Sequence, residues 1–266
     1  RVSGNGLGQL TRQYAEGAPR GVQGELSVAA GATLSGAAVT LDATKNSTFA
    51  GRFGKTATGG DIVKALALGA NRISLGDVPG ATAGLVLDDA RLAELGSIET
   101  LRLKSYSTLD LYGATTFGGG LKTLEVQAAG IAGRNNAGAT ATLTATNIAL
   151  SNPDGIDFAA AKPAGGGSGT LALTATDTLT LGNGNFTTDG FVATTLTGDR
   201  QIVASGTGKH EYAGNLTLAA GRITTGTGAR QAIAASGNLA TQAIAQATPF
   251  TGADFGGQLT MSGATL

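Results

Sequence analysis

Apolar and small polar residues alternate along most of the chain in short triplets, each closed by a Gly, Asn or Asp turn. Leu26-Ser27-Val28, Val39-Thr40-Leu41, Ile73-Ser74-Leu75, Leu85-Val86-Leu87, Leu101-Arg102-Leu103 and Leu109-Asp110-Leu111 set the pattern. It continues through Leu124-Glu125-Val126, Ile148-Ala149-Leu150, Leu171-Ala172-Leu173, Leu179-Thr180-Leu181 and Leu216-Thr217-Leu218. Alternation with period two predicts strands that bury one face. Their starts fall roughly 8–15 residues apart with no ordinary amphipathic helix between them, a spacing that fits a sandwich or a solenoid.

Two features favour the solenoid. Similar turns follow the strand cores: Ala30-Gly31-Ala32, Gly182-Asn183-Gly184 and Ala220-Gly221-Arg222. Gly214-Asn215-Leu216 also returns as Gly237-Asn238-Leu239 after 23 residues, about one coil of a parallel β-helix. At about 22 residues per coil the chain makes roughly 12 coils, a rod of about 58 Å. The expectation is an all-β fold, a parallel β-helix (β-solenoid) with short helical or loop insertions. Two insertions read as helical: Asp61 to Leu66, and Asp88 to Leu95 stopping at Gly96. Residues 1–266 read as a single segment, with a soft boundary at the Gly-rich loop 164–169. Starting at Arg1 without Met or a leader, the chain reads as a piece of something longer. No cap is evident at Arg1 or Leu266, which would leave sheet edges open.

Composition narrows the classes. Of 266 residues, 44 are Gly, 47 Ala and 37 Thr, nearly half the chain, so the core must come from Leu, Ile and Val in short segments. Gly has no three-residue period and Pro numbers only 5, which excludes collagen. No apolar run reaches the ~18–20 residues of a membrane-spanning helix. Lys+Arg 18 against Asp+Glu 18 leaves no basic surplus for nucleic acid. Without cysteine there is no disulfide or thiolate-metal scaffold.

Candidate chemistry is sparse. The sole histidine, in Lys209-His210-Glu211-Tyr212, reads as a solvated strand-end residue rather than a general base. Asp88 with Asp89, and Asp154 with Asp157, are the acid pairs to weigh for glycoside cleavage. The chain has no Trp and only four Tyr to build the aromatic platforms beside such acids, so no catalytic residue is assigned. Asn183, Asn185 and Asp189 place oxygens around one loop but lack a calcium-loop pattern. Gly4-Asn5-Gly6-Leu7-Gly8 and Gly182-Asn183-Gly184 lack a phosphate-loop ending. No cofactor or metal is expected. Thr142, Thr144 and Thr146 alternate, as do Thr174, Thr176, Thr178 and Thr180. On one exposed face they would present a flat hydroxyl–methyl array to ice, glycans or neighbouring rods. The array does not recur in every coil, and strand propensity accounts for it. Asn46, Asn185 and Asn215 stand in Asn-x-Ser/Thr sites.

The run Leu85-Val86-Leu87-Asp88-Asp89-Ala90-Arg91-Leu92, followed by Gly96-Ser97-Ile98-Glu99-Thr100-Leu101-Arg102-Leu103-Lys104-Ser105, resembles the filamentous-haemagglutinin-like large exoproteins of Gram-negative bacteria. So do Leu171-Ala172-Leu173-Thr174-Ala175, Asp177-Thr178-Leu179-Thr180-Leu181 and Gly237-Asn238-Leu239. The resemblance is one of local pattern and covers roughly residues 65–245. It implies a right-handed β-helix, two-partner secretion through an outer-membrane channel, and a secreted or outer-membrane-associated cell-surface location. It also implies an adhesin or biofilm-matrix role, in some members with a toxin at the far end. Asn152-Pro153-Asp154-Gly155-Ile156 is similar to the Asn-Pro-Asn-Gly-Ile turn of that family's secretion domain, but has Asp third and lies mid-chain. Asn-Pro and Asp-Gly are also ordinary turn pairs.

The expected function is that of a rigid structural or adhesive rod. Its partners would be a host or bacterial cell surface, exopolysaccharide or like rods, with possible self-association and no nucleic acid. The alternative is a carbohydrate-binding or carbohydrate-cleaving module. Its loops would be Lys104 to Tyr112 and Lys209 to Tyr212, with Tyr106, Tyr112 and Tyr212 as the glycan or receptor contacts.

Overall fold

Each of the alternating triplets is part of a strand in the computed structural model, which describes residues 2–3, 7, 24–54, 63–80, 82–162, 166–245 and 256–265. The protein is mostly β, dominated by a thirteen-stranded and an eight-stranded sheet in which, among the described residues, all but one of the pairings are parallel. Most neighbours in a sheet are not consecutive in sequence, the exceptions among the described residues being Ile73–Gly76 with Leu85–Leu87 and Thr140–Ser151 with Gly169–Leu181. The chain visits one sheet, then the other, and lays each new strand beside one from its previous pass.

The first sheet stacks Ala38–Asp42, Ala65–Ala70, Thr100–Ser105, Thr123–Gln127, Thr140–Ser151 and Gly169–Leu181 in that order. The last two are long enough to turn a corner, helped by a register shift between Ala145 and Asn147. Beyond them the sheet forks. Phe191–Gly198, Asn215–Ala220 and Leu239–Ala243 follow one half, and Gln201–Ala204 and Ile223–Thr225 the other. The second sheet runs Leu85–Leu87, Ile73–Gly76, Thr108–Tyr112, Gly130–Arg134, Phe186–Asp189, Thr207–Tyr212, Arg230–Ala235 and Gln258–Ser262.

Register turns the triplets into aliphatic columns. Val39, Leu66, Leu101, Leu124, Ile148, Leu179 and Ile202 occupy successive rungs of one column, each at most 1% exposed. Leu143, Leu173, Leu196 and Leu218 form another. At ~4.8 Å per rung these side chains touch, and each buried one contributes about 1.5–3 kcal/mol. The 23-residue recurrence is one such rung: Leu216 pairs with Leu239, and the Asn238 amide donates to Asn215 Oδ1 at 2.9 Å.

The expected helix after Asp88 spans Asp89–Glu94, with Asp88 Oδ1 accepting from the Arg91 amide at 2.9 Å. It runs into a 3₁₀ turn, Leu95–Ser97, past the expected stop at Gly96. The other expected helix is corrected. Asp61 and Ile62 lie outside the described residues, while Ala65–Ala70 is a strand because Leu66, Leu68 and Ala70 face the core with period two. Val2–Ser3 pairs antiparallel with Ala38–Asp42, the one antiparallel pairing among the described residues of the two sheets, while Arg1 and Leu266 lie outside the described residues. Ala164 and Gly165 of the expected boundary lie outside the described residues. Gly169 opens a strand paired on both sides, so the first sheet does not divide there.

The two sheets also fall out of step where the second lacks a strand. The first sheet advances from Leu124 to Ile148 to Leu179, but the second passes directly from Ile131 to Thr188. The intervening pass gives the second sheet no strand. Its residues 152–162 instead make a turn and a short helix, Phe158–Ala161.

Candidate functional surfaces

The three expected tyrosine contacts do not form one platform. Tyr106 sits at the corner between Thr100–Ser105 and Thr108–Tyr112. Its hydroxyl donates to the Asp42 carboxylate (2.9 and 3.0 Å), and Lys104 Nζ lies 4.9 Å from its ring centroid. Lys104 also pairs with Asp154 at 3.0 Å, so an ion pair occupies space a sugar face would need. Tyr112 is half-buried at the far end of its strand, ~13 Å from Thr108 at ~3.3 Å per residue. The segments expected as loops are largely strand.

Tyr212 is a correction: it is 2% exposed, inside the core. Thr207–Tyr212 is a strand, so Lys209 and Glu211 point outward and pair at 2.6 Å, while His210 and Tyr212 point inward. Burial pushes the Tyr212 phenol above its ordinary pKa, and its hydroxyl has no hydrogen-bond partner.

His210 is corrected for the same reason. It is fully buried, between Phe186 and Ile233 on neighbouring rungs, with its ring stacked 5.6 Å from that of Phe186. Its Nε2 donates to the Gly182 carbonyl at 3.1 Å, which places the proton of the neutral ring on Nε2. Nδ1 has no partner. Burial, only partly opposed by that hydrogen bond, lowers the pKa to about 4. Gln231 Nε2 donates to the same Gly182 carbonyl and to that of Ser205, both at 2.8 Å, so the group holds a corner together.

Most of the acids and amides weighed for chemistry have structural roles. Asp88 and Asp157 cap helices, and Asp154 holds Lys104. Asn183 Oδ1 accepts from the Thr207 amide at 2.9 Å, and the Asn185 carbonyl accepts from Asn152 Nδ2 at 2.7 Å. Asp189 pairs with Lys162, whose hydrogen bond holds the carboxyl below its usual range. Among the described residues no three His, Asp or Glu side chains gather to hold a metal. Asn46, Asn185 and Asn215 are all exposed, while the middle residue of each site, Ser47, Phe186 and Leu216, is buried.

Two buried features carried no sequence signal. Asn136 is fully buried and ties three segments together. Its Nδ2 donates to the Gly190 carbonyl at 3.1 Å, and its Oδ1 accepts from the Ser168 (3.0 Å) and Gly169 (3.3 Å) amides. Asp110 is buried on the outer side of the second sheet. Thr108 Oγ1 donates to it at 2.6 Å, and Arg134 and Arg72 lie 3.7 and 3.8 Å from its Oδ2.

Thr142, Thr144 and Thr174 of the alternating series belong to a patch that recurs over four passes and not over every one, and Thr146, Thr176, Thr178 and Thr180 are not among its register positions. Thr140, Thr142 and Thr144 are in register with Thr170, Ala172 and Thr174, then Ala193, Thr195 and Thr197, then Asn215, Thr217 and Ala219. Between them Ala141, Leu143, Leu171, Leu173, Leu196, Leu216 and Leu218 face the core, so these twelve side chains form an outer face. It measures about 14 Å by 13 Å at the usual strand spacings, and no side chain in it is charged. Asp177, farther along the strand of Thr170 to Thr174, pairs with Arg200 at 3.8 Å just beyond this face, and more charge lies at earlier rungs. There Arg102 pairs with Glu125 at 2.6 Å, and Lys64 and Lys122 flank Glu99, holding its carboxyl below its usual range.

No family model matches the chain, and neither a curated protein nor a solved structure does. No helix among the described residues is long and apolar enough to cross a membrane.

Proposed function

We propose that the protein is a right-handed parallel β-helical segment of a secreted, filamentous-haemagglutinin-like exoprotein. It acts as a rigid rod in adhesion or a biofilm matrix, outside the cell or at the outer membrane after export through an outer-membrane channel. The observation that carries this reading is the uncharged Thr/Ala face built on long parallel ladders. Strand-to-strand hydrogen bonding along the axis supplies stiffness, and the columns of Leu and Ile fill the interior. A flat face of short side chains loses little rotamer entropy when another rod or a neutral polysaccharide lies on it.

Electron microscopy with size-exclusion chromatography on the same sample tests the proposal. Straight rods that associate side by side, with a ~4.8 Å axial repeat, are the expected result. Compact, monodisperse particles lacking that repeat overturn it. The carbohydrate-binding alternative rests on Tyr106 and Tyr112, the two candidate tyrosines that reach solvent. It requires Tyr106→Ala or Tyr112→Ala to abolish retention on immobilised exopolysaccharide.

A further inference from the structure

Residues 152–162 lie where a strand of the second sheet would otherwise run, yet that sheet is closed without them because Gly130 pairs directly with Thr187. A Cβ at Gly130 would collide with the Thr187 carbonyl and with the Phe158 ring, so the segment lies against the outer side of this sheet. Beyond its base at Asn152, which donates to the Asn183 and Asn185 carbonyls, three polar contacts fasten it: Lys104 with Asp154 at 3.0 Å, Lys162 with Asp189, and Arg72 Nη2 donating to the Ala161 carbonyl at 3.0 Å. Its own apolar contribution is small. No residue of the helix Phe158–Ala161 is buried, and Ile156 and Phe158 are only half-buried. A four-residue helix has no stability of its own. At its base Asn152 is buried and closes the turn, its Oδ1 accepting from the Ile156 amide at 3.0 Å and its Nδ2 donating to the Ile156 carbonyl at 2.8 Å.

Beneath the segment is a cluster that an exposed sheet face would not bury. Leu109 and Leu111 face the core, so Asp110 between them points outward, yet it is inaccessible to solvent, as are Ser74 and Thr108. Asp110 shares its column with Ala132 and Asp189, the latter fastened to Lys162. Arg72 reaches both the Asp110 carboxylate and the Ala161 carbonyl.

We propose that residues 152–162 are a strap that opens as a unit while both parallel ladders stay intact, and that its opening uncovers Asp110 with Arg72 and Arg134. Ion pairs at the surface are what hold it, so ionic strength controls the opening. The ladders resist because only the Asn152 amide, at the base of the strap, extends one of them, donating to the Asn183 carbonyl at 2.8 Å.

Hydrogen exchange and carbodiimide labelling of carboxylates, both read by mass spectrometry on the full chain, test this at about 0.01 M and about 1 M NaCl. Raising the salt should speed exchange across 153–162 about fivefold, as loss of two exposed ion pairs allows. Labelling of Asp110 should rise in step, while 140–151 and 169–181 keep their protection. Phe158→Ala should do the same at low salt. The wild-type salt series stands by itself if that variant does not fold. Exchange of the strap only together with its flanking strands overturns the proposal, as does faster strap exchange with Asp110 still unlabelled.

Discussion

Acid should loosen this protein through one imidazole. His210 is neutral and buried, with a folded-state pKa of about 4 against about 6.5 when unfolded. Between those values the unfolded chain holds the extra proton, so stability rises with pH and is lost as pH falls. The full difference is about 3.4 kcal/mol, at about 1.36 kcal/mol per pH unit, and about 2 kcal/mol of it is lost between pH 7 and pH 5. The geometry supports the sign: a protonated ring would carry a second N–H at Nδ1, where no partner exists, beside Phe186 and Ile233.

Other groups titrate nearby. Burial raises the pKa of Asp110, so in its window stability falls as pH rises, the opposite sign. The depressed carboxyls of Glu99 and Asp189 lose their contribution only in stronger acid. A difference experiment cancels all three. Urea unfolding of wild type and His210→Leu, from pH 7.5 to pH 4.5, should show the variant gaining about 2 kcal/mol relative to wild type between pH 7 and pH 5. A gap that stays constant across that range refutes a buried neutral histidine.

Tyr212→Phe removes a buried hydroxyl that has no partner, and should raise the unfolding midpoint by up to about 1 kcal/mol of stability. Asn136→Ala strands the Gly190 carbonyl and the Ser168 and Gly169 amides, and should cost about 3 kcal/mol in denaturant unfolding. Asn135→Gly, at an exposed position with φ of 45°, should stay within about 0.5 kcal/mol of wild type. Leu173→Ala opens a cavity in the middle of an aliphatic column and should cost about 2–5 kcal/mol. Thr195→Lys puts a charge at the centre of the uncharged face. It should abolish side-by-side association in chromatography and micrographs while leaving the circular dichroism spectrum unchanged.

Strands were legible because Leu-x-Leu triplets state their own period, and the helix at Asp89–Glu94 because Gly96 marks a stop after the run from Asp88 to Leu95. The repeat was harder to read. Successive rungs of the main column, from Leu66 to Ile223, lie 35, 23, 24, 31, 23 and 21 residues apart. Only the shorter intervals resemble one another in sequence. That spread also hid the threonine face, because Thr144 and Thr174 are neighbours in space at a 30-residue offset while Thr174 and Thr197 are neighbours at 23. Parity within Thr207–Tyr212 put His210 and Tyr212 inside against the usual expectation for polar residues at a strand end. Asp110 was illegible for another reason: its partners Arg72 and Arg134 come from neighbouring rungs, 38 and 24 residues away in the chain.

The departures from regularity fall where one ladder is spared. Strand Leu85–Leu87 steps back to pair with Ile73–Gly76, and the helix Asp89–Glu94 follows, yet Thr100–Ser105 still pairs with Ala65–Ala70 across all six of its residues. At residues 152–162 the second sheet loses a strand, while Thr140–Ser151 and Gly169–Leu181 make the longest pairing among the described residues. The first sheet is therefore the element that runs from Ala38 to Ala243 through every insertion. Its hydrogen bonds, directed from strand to strand, lie along the stacking axis, so a pull along that axis loads the first sheet even where the second is shortened. An insertion that interrupted this sheet would break the column from Val39 to Ile202 and separate the chain into two stacks. Confining insertions to other sides of each pass lets the sequence acquire helices, straps and exposed loops without losing axial continuity.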